Sequence, residues 1–131
     1  MASSAHPAPS HEHVLDADQL QSVIDAWDEG MQILSPEWRY LYINGAAARH
    51  GRKTREELYG RTLLECYPGV ESTPLYGVMK RCMHEHSSAL MVNEFEYPDG
   101  SKAWFELRIK PCAEGIIVLS LARAAGELRT V

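Results

Sequence analysis

Apolar positions along the chain follow two different periods, and the boundaries between them are marked by capping residues. Leu20, Val23, Ile24 and Trp27 recur at i, i+3, i+4 and i+7, one stripe of an amphipathic helix. Asp16 with Gln19 forms a capping box at its start. Leu15 and Leu20 supply a hydrophobic staple, and Gly30 is the expected stop. Two short strands follow, Met31–Leu34 and Trp38–Ile43, joined by the turn Ser35-Pro36-Glu37. Asn44 then precedes a run of good helix formers, Ala46 to His50, so it reads as an N-cap that turns a strand into a helix. Thr54 with Glu57 is a second capping box, opening Arg55–Tyr59 before Gly60. Thr73-Pro74 opens a third helix, running to about His86 with Leu75, Val78, Met79, Cys82 and Met83 inward. Three strands close the chain, Leu90–Tyr97, Lys102–Pro111 and Gly115–Ala122, separated by Pro98-Asp99-Gly100 and Ala113-Glu114-Gly115. The predicted order is helix, two strands, three short helices, three strands. It lacks the strand–helix alternation of a doubly wound sheet.

Composition narrows this reading. At 131 residues, with 45% apolar and 24% charged positions, the chain has the size of one ordinary globular domain, too short for a two-domain enzyme or a sensor carrying its own kinase. A formal charge of −5 argues against a general nucleic-acid binder, and no apolar run is long enough to span a bilayer. Cys66, Cys82 and Cys112 are widely spaced and odd in number, as expected of reduced thiols in a cytoplasmic protein. Residues 1–14, with three of the six histidines, read as a disordered leader. Residues 15–29 are the amphipathic helix, 30–122 the folded domain and 123–131 a tail.

The runs Gly30–Asn44, Thr54–Arg61, Trp104–Arg108 and Ile116–Leu121, in this order and spacing, resemble the PAS domain family. The resemblance covers roughly residues 28–122. It implies an α+β fold: a five-stranded antiparallel sheet in the order 2-1-5-4-3, with short helices on one face. Asn44 and Gly60 match the family's structural asparagine and glycine. Members are sensory modules that bind a small ligand between helices and sheet, or pair with another PAS domain; fold alone does not choose between these.

Candidate sites follow from that expectation. The cavity is expected to be lined by Ile33, Leu41, Ile43, Leu58, Met79, Cys82, Met83, Phe105 and Leu107, with Tyr67 and His86 as polar anchors. His84 and His86 point about 160° apart on a regular helix, so they form no chelate. His86 alone could ligate haem, because haem-binding members use a histidine from this helix; the alternative is a histidine favoured by the helix C-terminal dipole. The flavin-linked cysteine motif of light sensors is absent around Cys66, which reads as a packing residue. Glu56-Glu57 and Glu94/Glu96 read as cap and solvent-facing residues, and Arg49, Arg52, Lys53 and Arg55 as a solvated loop. No catalytic residue and no metal site is expected.

One sheet face needs a cover other than the short helices. Leu20, Val23, Ile24 and Trp27, with Ile116 and Val118, are the expected helix-docking or dimer face. The helix could cover its own sheet or a partner's, so a homodimer or another PAS-type partner is expected, with no nucleic acid and no membrane. The chain reads as a sensory and signal-transduction module, standing alone or as a fragment of a larger sensor. A haem sensor using His86 and a purely structural dimerisation module are the alternatives.

Overall fold

The computed structural model describes residues 14–124. Five strands form one antiparallel sheet: β1 (Gly30–Leu34), β2 (Tyr40–Ile43), β3 (Ala89–Glu96), β4 (Lys102–Cys112) and β5 (Gly115–Arg123). Their order is β2-β1-β5-β4-β3, which is the expected 2-1-5-4-3 arrangement. Between β2 and β3 the chain crosses one face of the sheet as α2 (Gly45–His50), α3 (Arg55–Leu58), α4 (Leu63–Cys66), a 3-10 turn (Val70–Ser72) and α5 (Pro74–Glu85). The expected leader, residues 1–14, lies outside the described residues except for Val14, and the C-terminal tail is described only at Arg123 and Ala124.

The core sits between this crossing and the inner face of the sheet. Leu34, Ile43, Leu58, Cys82, Ile109 and Ile116 are all within 1% of complete burial. Strand alternation puts Phe105, Leu107 and Ile109 of β4 inward, as their spacing predicts. Ile116 and Val118 of β5 lie on this same inner face, buried in the core. They therefore do not belong to an outer docking face. The outward positions of β5 are Ile117, Leu119 and Leu121, each half-buried.

Helix boundaries follow the capping residues. Asp16–Gln19 and Thr54–Glu57 form reciprocal capping boxes, and Asn44 and Thr73 cap α2 and α5. A third box, Thr62 with Glu65, opens α4, which the apolar pattern alone had not marked. α1 (Ala17–Asp25) ends five residues before Gly30, because Ala26 already caps it. The first strand residue after the turn is Tyr40, since Trp38 adopts a left-handed φ of 68° and lays its ring against Tyr76, 5.0 Å between centroids.

Asn44 holds three of these elements together. Its Oδ1 accepts from the Met31 and Ala47 amides, both at 2.9 Å. Its Nδ2 donates to the Ile24 and Glu29 carbonyls at 3.1 and 3.0 Å. The side chain thus uses all four of its hydrogen-bonding positions while completely buried. α1 is fastened at the same edge by Gln21 Nε2 donating to Tyr42 Oη (2.6 Å) and by an Arg55–Asp25 ion pair (2.8 Å). These ties are polar. Leu20, Val23 and Trp27 remain more than 40% exposed, and no residue of α1 is buried.

Candidate functional site

A cavity of about 90 Å³ lies between the sheet and the helical crossing. Its apolar wall is formed by Leu34, Ile43, Met79, Phe105, Leu107 and Val118. Polar side chains border it at separate places: the His50–Ser120 pair, Gln32 on β1 and, with two strands lying between, Asn93 on β3, with Tyr67 shared with the neighbouring groove. Of the eleven residues expected from the sequence, the structure brings Ile43, Tyr67, Met79, Phe105 and Leu107 to this cavity.

The other six fall elsewhere, for identifiable reasons. Leu58, Cys82 and Met83 are buried core residues that do not reach the cavity. Ile33 alternates with Gln32 and Leu34, which point inward, so it faces out opposite Tyr42. Leu41 is the extra residue of a β-bulge: Ile33 pairs with Tyr42 while Leu34 pairs with Tyr40. The bulge puts Tyr40 and Ile43 inside and leaves Leu41 45% exposed. His86 is the exposed C-cap of α5, with a left-handed φ of 51°, and does not line the cavity. It is not placed to ligate a group bound there.

The histidine that does face the cavity is His50, the last residue of α2. Its Nδ1 lies 2.9 Å from Ser120 Oγ, and its ring packs on Phe105 at 4.8 Å. Burial, with Arg49 alongside, pushes its pKa below the ordinary histidine value, so the ring is neutral near pH 7. This pair depends on Gly30, which is opposite Ser120 across the β1–β5 ladder. A Cβ on Gly30 would come within 2.2 Å of Ser120 Oγ and 3.0 Å of His50 Nδ1. Parity along the strands carries the signal for these inward polar residues. Gln32, Asn93 and Ser120 are polar residues at positions in phase with the apolar inner faces of β1, β3 and β5.

A wider groove of about 550 Å³ adjoins the cavity, sharing Gly51, Tyr67, Val70 and Phe95 with it. Tyr67 stands between the two spaces. Its hydroxyl donates to the Gly51 carbonyl (3.1 Å) and its ring meets Phe95 edge-on. A Cβ on Gly51 would come within 2.1 Å of that hydroxyl oxygen. Tyr97 adds a second latch, donating to the His50 carbonyl at 2.7 Å.

The basic residues near this groove are not a freely solvated loop. Arg52 stacks 3.5 Å above the Tyr97 ring and donates to Ser101, Lys53 lies over Tyr67, and Arg55 pairs with Asp25. Glu57 is committed to its cap, and the Thr54 amide bonded to it holds its carboxyl below the usual range. Glu94 and Glu96 are exposed on β3. Burial pushes the Cys66 thiol up, away from a reactive thiolate. Among the described residues, no group of three or more His, Cys, Asp or Glu side chains could hold a metal ion.

Comparison with known proteins decides the family. A family model described as the PAS fold matches residues 24–125. The chain belongs to the PAS family. No curated protein matches it significantly. Among solved structures, the photoactive yellow protein domain of the sensor histidine kinase Ppr from Rhodospirillum centenum aligns with TM-score 0.66 at 12% identity, covering 76% of this chain and 96% of that one. A domain of a sensory box sensor histidine kinase/response regulator from Geobacter sulfurreducens aligns with TM-score 0.61 at 19% identity, covering 82% and 93%. The Vibrio cholerae VqmA dimer, described as a DNA-binding LuxR-type receptor, aligns with TM-score 0.70 at 17% identity, covering 86% of this PAS chain but 53% of that chain. At these identities the likeness establishes the fold. No helix among its described residues is long and apolar enough to cross a membrane.

Proposed function

We propose that this PAS domain binds a small molecule in the cavity between sheet and helices and reports occupancy through protein–protein contact. The observation that carries this reading is the cavity itself, apolar over most of its wall with a few polar side chains among them, the usual make-up of a small-molecule site. His50 connects the cavity to the rest of the fold: its ring faces the bound space while its carbonyl is latched by Tyr97. Occupancy that repositions His50 therefore acts on α2, and through the Asn44 cap on β1 and α1.

The contact surface is the outer face of the sheet with α1. Leu90 and Val92 of β3 are exposed, as are Leu20 and Val23 of α1 and Trp27 just after it. A face of this kind supports pairing with a second copy or with another PAS-type partner. Catalysis is assigned to a partner rather than to this domain. The three cysteines are free, which fits a reducing, cytoplasmic setting.

The test is native mass spectrometry of the purified protein, followed by sedimentation with and without the molecule it retains. A retained small molecule whose removal changes the dimer dissociation constant supports the proposal. An empty protein whose assembly responds to no added metabolite contradicts it.

A further inference from the structure

The two edges of the sheet are finished differently. β2 is four residues long, and the chain before α4 covers it: the Tyr40 amide donates to the Arg61 carbonyl at 2.9 Å, and the Tyr59 hydroxyl bonds both backbone groups of Ile43. β3 has eight residues and runs against β4 without a bulge, from the Ala89–Ile109 pair to the Glu96–Lys102 pair. The hairpin fixes which of its groups are already bonded. The Tyr97 amide donates to the Ser101 carbonyl at 2.8 Å, so these two are a hydrogen-bonded pair. Counting back in twos, Phe95, Asn93, Met91 and Ala89 bond to β4, while Leu90, Val92, Glu94 and Glu96 turn N–H and C=O to the open edge. No other described residue bonds to those four backbones. Leu90 is 68% exposed and Val92 41%. Glu94 and Glu96 are exposed too, and neither forms an ion pair with a described residue, although Glu96 stands opposite Lys102. Open edges are templates for another strand, and shortness, proline, lysine or a bulge normally blunts them. β3 has none of these; it carries only the two glutamates, at one end.

We propose that β3 receives an extended segment of a partner protein, added antiparallel to its open edge, with basic residues opposite Glu94 and Glu96 and apolar residues opposite Val92 and Leu90. Antiparallel pairing reverses the order, so the segment reads basic-x-basic-x-apolar-x-apolar from its N-terminus. Main-chain bonds to the four free backbones supply affinity, and the alternate side chains supply selection. A second copy fits this edge less well. Its edge-directed residues meet only when even-numbered residues face each other, and the antiparallel registers that overlap most of β3 set Glu94 opposite Leu90 or Val92. An in-register parallel pairing sets like carboxylates side by side. The edge is used whether or not the cavity is filled. It also differs from the outer-face contact, in which side chains rather than backbone meet the partner.

The test is fluorescence anisotropy of a fluorescein-labelled peptide, Lys-Thr-Arg-Thr-Val-Thr-Ile, titrated with the whole protein. It is expected to bind at least about tenfold more tightly than Glu-Thr-Glu-Thr-Val-Thr-Ile, and Glu94→Lys should bring the two within about threefold or reverse them. N-methylation of the peptide's valine, whose N–H faces the Val92 carbonyl, should weaken binding by about tenfold. N-methylation of the threonine before it, whose N–H points away from β3, should cost less than about threefold. A basic peptide that does not bind, an acidic peptide that binds as tightly, or two N-methylated peptides that bind alike overturns the proposal. Self-association that the basic peptide disperses in sedimentation gives the edge to a second copy, and overturns the proposed partner as well.

Discussion

Replacing Asn44 with alanine removes one side chain and four hydrogen bonds. Two are accepted from the Met31 and Ala47 amides and two are donated to the Ile24 and Glu29 carbonyls. Loss of the α2 cap alone costs about 1 kcal/mol. The Met31 amide is then left in a site where the asparagine was completely buried, with no replacement partner, adding roughly 1–3 kcal/mol. The sum, about 2–4 kcal/mol, is a large share of the roughly 5–15 kcal/mol that holds a domain folded. Urea titration followed by far-UV circular dichroism measures it. Hydrogen exchange should show, in addition, that the first turns of α2 and the attachment of α1 loosen together. A loss below about 1 kcal/mol, or loosening confined to α2, would refute the idea that one amide couples α1, β1 and α2. Asn44→Asp sharpens the test, since it keeps the acceptors but turns an ionised oxygen toward two carbonyls. It should be at least as unstable as the alanine variant at pH 7, and gain stability as acidification protonates the new carboxyl.

Three further outcomes are expected. Gly51→Ala should destabilise the fold by about 1–3 kcal/mol and break the Tyr67–Gly51 bond, read as altered Tyr67 ring resonances; an unchanged urea midpoint would show that the groove wall yields freely. Because His50 has a folded pKa below its unfolded value near 6.5, the unfolded chain binds the extra proton first. The His50 contribution is therefore complete above about pH 6.5 and is lost as pH falls through that value toward the lowered folded pKa; His50→Gln should flatten this part of the stability–pH curve. Ile24→Asp should abolish self-association in sedimentation while costing under about 1 kcal/mol in the monomer, because α1 has no buried residue; a wild type that stays monomeric at high concentration would contradict the outer-face assignment.

Much of the fold was legible because capping chemistry is local. Asp16, Asn44, Thr54 and Thr73 each announce a helix within four residues, and each does cap one. Thr62–Glu65 carried the same signal, yet α4 is too short for an apolar period to register. The site was less legible, because it depends on relations that no local pattern holds. Leu41 and Ile43 share a face in any regular strand, and only the bulge separates them. Leu58, Cys82 and Met83 are as apolar and inward as Met79, but which of them borders empty space is decided by packing across three elements. His50 looked like a helix end and His86 like a helix-face residue. Their roles exchange because α2 lies over Phe105 and Ser120 while α5 stops with His86 in solvent.

A crystal structure of the protein purified without added ligand decides whether the space bordered by Gln32, His50, Asn93 and Ser120 is a binding site. The predicted result is difference density for a small molecule hydrogen-bonded to at least one of these side chains, with Tyr67 closing the side toward the groove. Density for water alone, or neighbouring side chains filling a collapsed space, would contradict it.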